Sequence, residues 1–270
     1  MPNPTRICFL ADRHDLYDDR IYWKMAVPLV KKGFQVHYVL IGSKAESGTT
    51  SEGIHFKILK LKTFSANRFL NFFIKRLNPD NNYSLMLREA EAIHADIYHF
   101  HDLWINRIGP KLKQFSHKPV VFYDAREPYA EDYLSYVTSP FPFLIQLFAS
   151  RVDQWEKKQA KKYDLVIANE LTVQQNFAQV IGEERSKVLY NYTDFTVETD
   201  PVPFNEKTYD LIYCGAVTRL RGAFDILKAV NRLKEALPEI KVLIIGNYYP
   251  LSLKDELQDF INKNKLNDLV

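Results

Sequence analysis

Short apolar runs recur along the chain, and each stops at a glycine or a polar cluster that leads into a stretch with helical periodicity. Runs rich in Val, Ile and Tyr that alternate with helices predict parallel strands buried on both faces of a sheet. The predicted strands are Arg6–Leu10, Val36–Ile41, Asp96–Phe100, Val120–Tyr123, Leu165–Ala168, Leu211–Cys214 and Val242–Ile245. Helices are predicted between them, among others at Ile21–Lys32, Ser84–His94 and Phe143–Lys162.

The strands and helices fall into two series, which predict two domains. Residues 1–190 carry the first five strands, and residues 191–208 change to a linker with acids, prolines and no sustained period. A second series over residues 209–270 has two strands and two helices. A complete doubly wound domain typically needs about 100 residues, so the second domain is expected to be incomplete.

Composition narrows the class of protein. The chain has 270 residues, of which 46% are hydrophobic, and its net charge of +3 is too small to indicate a nucleic-acid partner. Cys8 and Cys214 both fall in predicted strands, which predicts buried free thiols in a reducing compartment. Since neither a signal peptide nor a membrane-spanning apolar run is evident, we expect a cytoplasmic protein.

Residues 64–77 predict a helix with a wide apolar arc and basic flanks. Such a helix suits a lipid surface, and contact with a membrane through this segment is one interpretation. The other, slightly favoured because wide apolar faces are common in globular proteins, is a core helix whose basic residues reach solvent at its rim. The aromatic segment Pro140–Phe148 has the same two interpretations.

The polar clusters that end the strands are the candidate site residues, because ligands of open parallel sheets bind beyond the carboxyl ends of the strands. The first strand is followed by Asp12, Arg13 and His14. No glycine-rich dinucleotide motif or P-loop follows any predicted strand, which argues against NAD, FAD and similar cofactors.

The third strand ends in the string DIYHFHD. Strand alternation places His99 and His101 on one face, where imidazoles can bind a phosphate or a sugar hydroxyl and exchange a proton near neutral pH. A metal site would need a third ligand at a fitting spacing, and none is evident, so no metal is predicted.

The sixth strand leads into a loop suited to phosphate. After Gly215 come Arg219 and Arg221, ahead of Gly222 and a helix. Arginines above a helix N-terminus are placed to clamp a diphosphate. The alternative is that these arginines pair with surface acids.

An ordered set of strings gives the chain a resemblance to a known family. The chain resembles the retaining nucleotide-sugar glycosyltransferases of family 4, which have the two-domain, Rossmann-like GT-B fold. The strings are DRHDLYDDRIYWKMAVPLVKKGFQV, IYHFHD, YDAREPY, DLVIANE, VLYNYTD and LIYCGAVTRLRGAFDILKAV.

The resemblance implies transfer of a sugar from a nucleotide-diphosphate donor to a sugar or lipid-linked acceptor hydroxyl, with retention of configuration, in polysaccharide or glycan assembly and without a metal or other cofactor. It implies that His101 lies on the acceptor side of the cleft near the transferred sugar, and Asn191 would mark the hinge. The catalytic candidates are His101 and Asp102, the donor-binding candidates are Gly215, Arg219, Arg221, Gly222 and Gly246, and the acceptor-binding candidates are Asp12, Arg13, His14, His99, Asp124 and Glu127.

The sequence also departs from the family pattern. Arg126 stands where related sequences often have histidine, and the family's pair of glutamates seven residues apart, which holds the donor sugar and ribose, has no counterpart in the second domain. The chain is therefore expected to transfer sugar poorly by itself. Two alternatives remain open, a non-catalytic binding protein that kept the first domain and a sugar-nucleotide epimerase-like protein.

Overall fold

The computed structural model describes residues 4–12, 14–60, 80–136, 142–192 and 202–270. The chain divides into two compact units, Met1–Thr193 and Asp194–Val270. The division falls within residues 191–208.

The first unit is built on an eight-stranded sheet in the order β3-β4-β2-β1-β5-β6-β7-β8, and all neighbours are parallel except β3 and β4. The predicted α/β class is confirmed. The strands are β1 Arg6–Ala11, β2 Gln35–Gly42, β3 Glu46–Thr49, β4 His55–Lys60, β5 Ile97–His101, β6 Val120–Ala125, β7 Leu165–Ala168 and β8 Ser186–Val188. Strands β3, β4 and β8 escape sequence prediction because they are short or exposed on one face and lack a continuous apolar run.

Helices join the strands on both faces of this sheet. They run over Val27–Lys31, Asp80–Ile93, Gly109–Leu112, Tyr129–Tyr136, Pro142–Ala160 and Leu171–Ile181, with a π-helical stretch at Asp19–Ala26 and 3-10 turns at Leu103–Arg107 and Glu183–Arg185. The helix predicted at Ile21–Lys32 is therefore two consecutive helical segments. Gly33, at φ +88°, ends the second of them, as a residue just beyond a helix C-terminus commonly does.

The order of the strands creates a switch point beside β1. The chain adds β2 and β4 on one side of β1 and then returns to place β5 on the other side. At such a point the two loops that leave neighbouring strands diverge and open a crevice at the carboxyl edge.

Alternation along the strands separates two cores. Cys8 and Leu10 belong to one buried cluster with Tyr98 and Phe100, whereas Phe9 belongs to a second cluster on the opposite face. The central strands are thus covered on both faces, which explains their nearly continuous apolar sequences.

The second unit has a two-stranded parallel sheet of β9 Leu211–Cys214 and β10 Val242–Ile245. Helices Ala223–Leu233 and Leu253–Lys263 pack with one face of it, and a 3-10 turn at Phe204–Glu206 precedes it. Ile212 and Ile245 remain 62% and 47% exposed. The prediction of two buried thiols is half wrong, because Cys8 is buried whereas Cys214, on the uncovered side of β9, is exposed.

Two segments were predicted to suit either a lipid surface or the core, and only the second extends into the described residues. Residues 64–77 lie outside the described residues. The second aromatic segment enters the helix Pro142–Ala160, where Phe143 and Leu147 are 64% and 51% exposed. None of the helices within the described part of the chain combines the length and hydrophobicity needed to cross a bilayer.

Candidate functional site

A charged cluster lies at the switch point of the first unit, beyond the carboxyl ends of β1, β5 and β6. It consists of His14 and Asp18 from the segment after β1, Asp102 after β5, and Arg126 after β6. His14 is 88 residues from Asp102 and 112 from Arg126 in sequence. Only the adjacency of the three parallel strands brings these side chains together.

His14 is the centre of the cluster. Its Nδ1 lies 2.9 Å from Oδ2 of Asp18, and its Nε2 lies 2.9 Å from Oδ1 of Asp102. Burial alone would lower the pKa of His14, but the two carboxylates outweigh burial and raise it to about 9. At neutral pH the ring is therefore a cation that donates to both carboxylates.

Arg126 adds a second positive charge beside this ring. Its Nη1 lies 2.9 Å from both ring nitrogens of His14 and 3.4 Å from Oδ2 of Asp18. His14 and Arg126 carry two positive charges and Asp18 and Asp102 two negative ones, so the cluster is balanced in charge, with Arg126 17% exposed at its surface.

Asp18 contacts both His14 and the N-terminus of the following helix. Its Oδ1 accepts from the backbone N–H groups of Arg20 and Ile21 at 3.0 and 2.8 Å, as the cap of a helix N-terminus. Burial opposes ionisation of Asp18, but hydrogen bonds from His14 and Ile21 hold its pKa well below the usual range. One carboxylate thus fixes both the helix and the His14 ring.

Asp102 is held in an uncommon backbone conformation. Its φ of +77° is outside the regions that residues other than glycine ordinarily adopt, which costs on the order of 1–3 kcal/mol. Although burial acts against ionisation, the hydrogen bond from His14 keeps the pKa of this carboxyl low. Its Oδ2 is buried and accepts no hydrogen bond from a described residue. The uncommon backbone angle and the carboxylate oxygen without a partner together make Asp102 a candidate functional residue.

A second layer lies beneath this cluster, inside the sheet. His99 and His101 stack with ring centroids 4.6 Å apart, so the prediction that they share one strand face is confirmed. Asp124, paired with His101 across β5 and β6, is completely buried, and Arg20 Nη2 reaches its two oxygens at 3.2 and 3.3 Å. Arg20 also donates to the carbonyl of Leu189 at 2.7 Å.

The expectations for His101 need correction. Its side chain is completely buried, so the ring does not open to solvent, and the expected direct approach of a sugar is not met in this structure. Burial, and then the neighbouring His99, lower the pKa of His101 well below its ordinary value. The expected exchange of a proton near neutral pH is therefore wrong for this ring, which is neutral at pH 7.

The same layer offers a set of metal ligands. His99, His101 and Asp124 place three ligand atoms within 4.8 Å of one another. However, the guanidinium of Arg20 already contacts both oxygens of Asp124, so a divalent ion would sit against a buried positive charge. The electrostatics disfavour a metal here, and metal-free chemistry stays a prediction.

Of the other first-unit candidates, Asp12 and Glu127 belong to the described residues. Asp12 accepts a hydrogen bond from Tyr83 at 2.5 Å, and Arg13 lies outside the described residues. Glu127 is exposed and lines a small cavity of about 40 Å³ together with Glu156 and Phe177.

In the second unit, glycines bring the loops after β9 and β10 together. Gly215 and Gly246 have φ values of +149° and +155°, and a Cβ on Gly246 would lie 1.7 Å from the Gly215 carbonyl oxygen. Gly222, at φ +78°, caps the helix Ala223–Leu233. These positions require glycine. Without side chains there, the backbone of the loops lies open beside the helix N-terminus.

The two arginines of this loop differ. Arg219 forms an ion pair with Glu256, and its guanidinium carbon lies 4.7 Å from the ring centre of Phe224. For Arg219 the structure therefore matches the alternative interpretation, in which the arginine pairs with a surface acid. Arg221 forms no ion pair within the described residues, and its Nη1 lies 3.9 Å from the Cβ position of Gly215. Arg221 is therefore the cation that remains available at the loop.

Asp18, Arg20 and Arg126 were not among the residues predicted for the site. The helix-capping pattern at Asp18 was a usable signal, since an acid directly before a helix start is a common cap. Burial of Arg20 gave no signal, because charged residues at helix starts are usually exposed.

The chain resembles known proteins in its fold and not in its sequence. No protein-family model matches the sequence, and no curated protein sequence does. The fold matches sucrose-phosphate synthase from Thermosynechococcus elongatus with a TM-score of 0.63 and 12% identity, over 98% of this chain and 69% of that one. A glycosyltransferase from Rickettsia africae matches at 0.61 and 15%, over 99% and 67% of the two chains.

A third match is the catalytic domain of starch synthase IV from Arabidopsis thaliana bound to ADP and acarbose, with a TM-score of 0.60, 11% identity, and coverage of 99% and 73%. These matches confirm the predicted fold, which is of the GT-B type found in glycosyltransferases. At such low identity the likeness defines the fold and leaves the chemistry to be argued from the site.

Proposed function

We propose that this protein transfers a sugar from a nucleotide-diphosphate donor to an acceptor hydroxyl. The observation that carries the proposal is the charged cluster of His14, Asp102 and Arg126 at the switch point of a GT-B-type sheet. The switch point is where ligands of open α/β sheets bind. The solved starch synthase with ADP supports the donor class by analogy.

In the proposal, the first unit holds the acceptor. Asp102, fixed by the hydrogen bond from His14, accepts a hydrogen bond from the acceptor hydroxyl through its carboxylate, whose side chain is 9% exposed. The protonated His14, with Arg126 beside it, holds Asp102 ionised and in place to accept that hydrogen bond. His101 acts beneath them as a positioning residue, since its neutral ring stacks on His99 and does not reach solvent.

The second unit holds the donor diphosphate. Gly215, Gly222 and Gly246 allow close approach of the backbone to phosphate, and Arg221 supplies the positive charge. Retention of configuration, a hexose as the transferred sugar and a role in polysaccharide or glycan assembly are parts of this proposal that follow from the family resemblance.

A turnover assay tests the proposal. The full chain is incubated with UDP-glucose, UDP-galactose, GDP-mannose or ADP-glucose and a panel of sugar acceptors, and the released nucleoside diphosphate is measured. We expect Asp102→Asn to reduce kcat by about 100-fold, because a general acid–base group contributes roughly 100- to 10,000-fold. Lys118→Gln is the control, because Lys118 is an exposed residue of the same unit that lies outside the charged cluster.

The outcomes separate the alternatives. Release of nucleotide that needs an acceptor and falls in Asp102→Asn supports transfer. Donor binding without turnover would instead favour the non-catalytic binding protein. Conversion of the donor sugar without an acceptor would favour the epimerase-like protein.

A further inference from the structure

A groove of about 560 Å³ lies on the first unit, between the 3-10 turn Leu103–Arg107 and the helix Pro142–Ala160. Its volume is within the range of about 300–1,000 Å³ that is typical of small-molecule sites. The residues that carry the argument are Trp104, Arg107, Lys111, Trp155, Gln159 and Lys162.

Two tryptophans form the apolar part of the groove. The ring centroids of Trp104 and Trp155 are 6.1 Å apart at an interplanar angle of 34°, and both residues are half-buried. The guanidinium carbon of Arg107 lies 4.9 Å from the ring centre of Trp104. Two indole faces held at an angle offer surfaces on which the C–H faces of pyranose rings stack.

The charged residues of the groove are all cations. Arg107, Lys111 and Lys162 form no ion pair with a described residue, and no described acidic residue lines the groove. By contrast, Lys113 pairs with Asp164, and Lys157 with Asp153. A concave surface with unneutralised cations attracts an anion.

The groove is also rigid on its inner side. The side-chain oxygen of Asn106 accepts from the Tyr163 hydroxyl at 2.9 Å, and its amide donates to the Leu103 carbonyl at 3.0 Å. Gln159 Oε1 accepts from Lys162 Nζ at 2.9 Å, which positions that ammonium group. A preorganised wall lowers the entropic cost of binding.

We propose that this groove binds an acidic saccharide, such as a run of uronic acid residues, with its rings on the tryptophans and its carboxylates on Arg107, Lys111 and Lys162. A nucleic acid is less suited, because three cations line the groove and the net charge of +3 is too small to indicate a nucleic-acid partner. The inference goes beyond the proposed transfer activity and does not depend on it, since binding is measured without a donor.

Tryptophan fluorescence of the full chain tests the site. The chain has three tryptophans, so in a Trp23→Phe background only Trp104 and Trp155 report. Trigalacturonate is titrated as the probe and maltotriose as its neutral counterpart. We expect saturable quenching by trigalacturonate, at least about tenfold weaker binding of maltotriose, and loss of the difference at high salt.

Variants assign the effect to the groove. Arg107→Gln is expected to weaken trigalacturonate binding about tenfold, and the exposed Lys111→Gln, which leaves the packing intact, by about threefold. Lys158→Gln, an exposed lysine of the same long helix outside the groove, should bind as the parent does. Equal affinity for maltotriose, tighter binding of an oligouridylate, or unchanged affinity in both groove variants would overturn the proposal.

Discussion

The two units solve the problem of covering a parallel sheet differently. In the first unit the central strands are buried on both faces, and even charged groups such as Arg20 and Asp124 are enclosed and paired. In the second unit β9 and β10 are covered by helices on one face, whereas Ile212 and Ile245 on the other are largely exposed.

This difference extends to the candidate site residues. The charges of the first unit are held by one another at fixed positions, as His14 is between Asp18 and Asp102. Arg219 and Arg221 of the second unit lie on its surface. The first unit thus presents a preorganised cluster, whereas the second presents exposed loop residues whose positions a ligand can still adjust.

The largest effect is expected from removing the buried arginine. Arg20→Ala leaves Asp124 as an unpaired charge in the interior, which should lower the free energy of unfolding of the first unit by about 3–5 kcal/mol. All the tryptophans lie in the first unit, so urea unfolding followed by tryptophan fluorescence isolates it. Lys24→Ala, in the same helical segment and paired with Asp19, should cost less than about 1 kcal/mol. Equal costs would contradict the contrast between buried and surface pairs.

Buried charge in the first unit also predicts a pH dependence. Burial raises the pKa of Glu156 to about 7, although the Tyr123 hydroxyl donates to it. Because the folded pKa lies above the unfolded value, stability from the protonated form is complete below about pH 4.5 and is lost as the pH rises through about 7.

Glu156→Gln removes this loss. The free energy of unfolding of the variant minus that of the parent is compared at pH 5 and pH 8. We expect this difference to be about 1–3 kcal/mol larger at pH 8. Urea unfolding at both pH values gives the comparison. Because the pKa of His14 is raised, stability is also lost as the pH rises from about 6.5 to 9. This loss occurs in both parent and variant, so it cancels in the comparison. A difference that does not change with pH would show that Glu156 is solvated.

The two loop arginines of the second unit should differ in donor binding. Arg221→Gln is expected to weaken UDP or GDP binding by about tenfold, the loss of one charge-assisted contact. Arg219→Gln should have a smaller effect, because its guanidinium is already engaged by Glu256. Calorimetric titration of each variant gives the ranking. A reversed order would mean that the ligand displaces Glu256 and that the surface pair is not maintained.

The smallest effect is expected on the uncovered face of β9. Ile212→Thr should change the stability of the second unit by about 0.5 kcal/mol or less, as surface substitutions do. Tyr213→Ala, on the covered face, removes packing and a hydroxyl that donates to the Ala216 carbonyl, and should cost at least about 2 kcal/mol. Amide hydrogen exchange in the helix Ala223–Leu233 measures both. A large cost of Ile212→Thr would show that this face is covered in solution.

The class of fold was predictable because its signal is local. Strands β1, β2, β5, β6, β7, β9 and β10 all lie where apolar runs predicted them, and strand alternation correctly placed His99 and His101 on one face. Burial on both faces forces a nearly continuous apolar sequence, and that is visible without coordinates. Strand β3 was missed because all four of its residues, Glu46 among them, are exposed, and β4 because its exposed face permits polar residues such as Lys57.

The candidate site was predictable only in part. The residues that follow each strand can be identified from the apolar runs, and His14 and Asp102 were predicted in this way. The runs do not show that these two residues meet, because strand order is set by long-range pairing between segments 88 residues apart. Tertiary packing places Arg126 against His14, encloses Arg20 with Asp124, and leaves His101 buried and neutral. Burial and charge pairing depend on neighbours that are distant in sequence, and these fix the protonation and accessibility of each group.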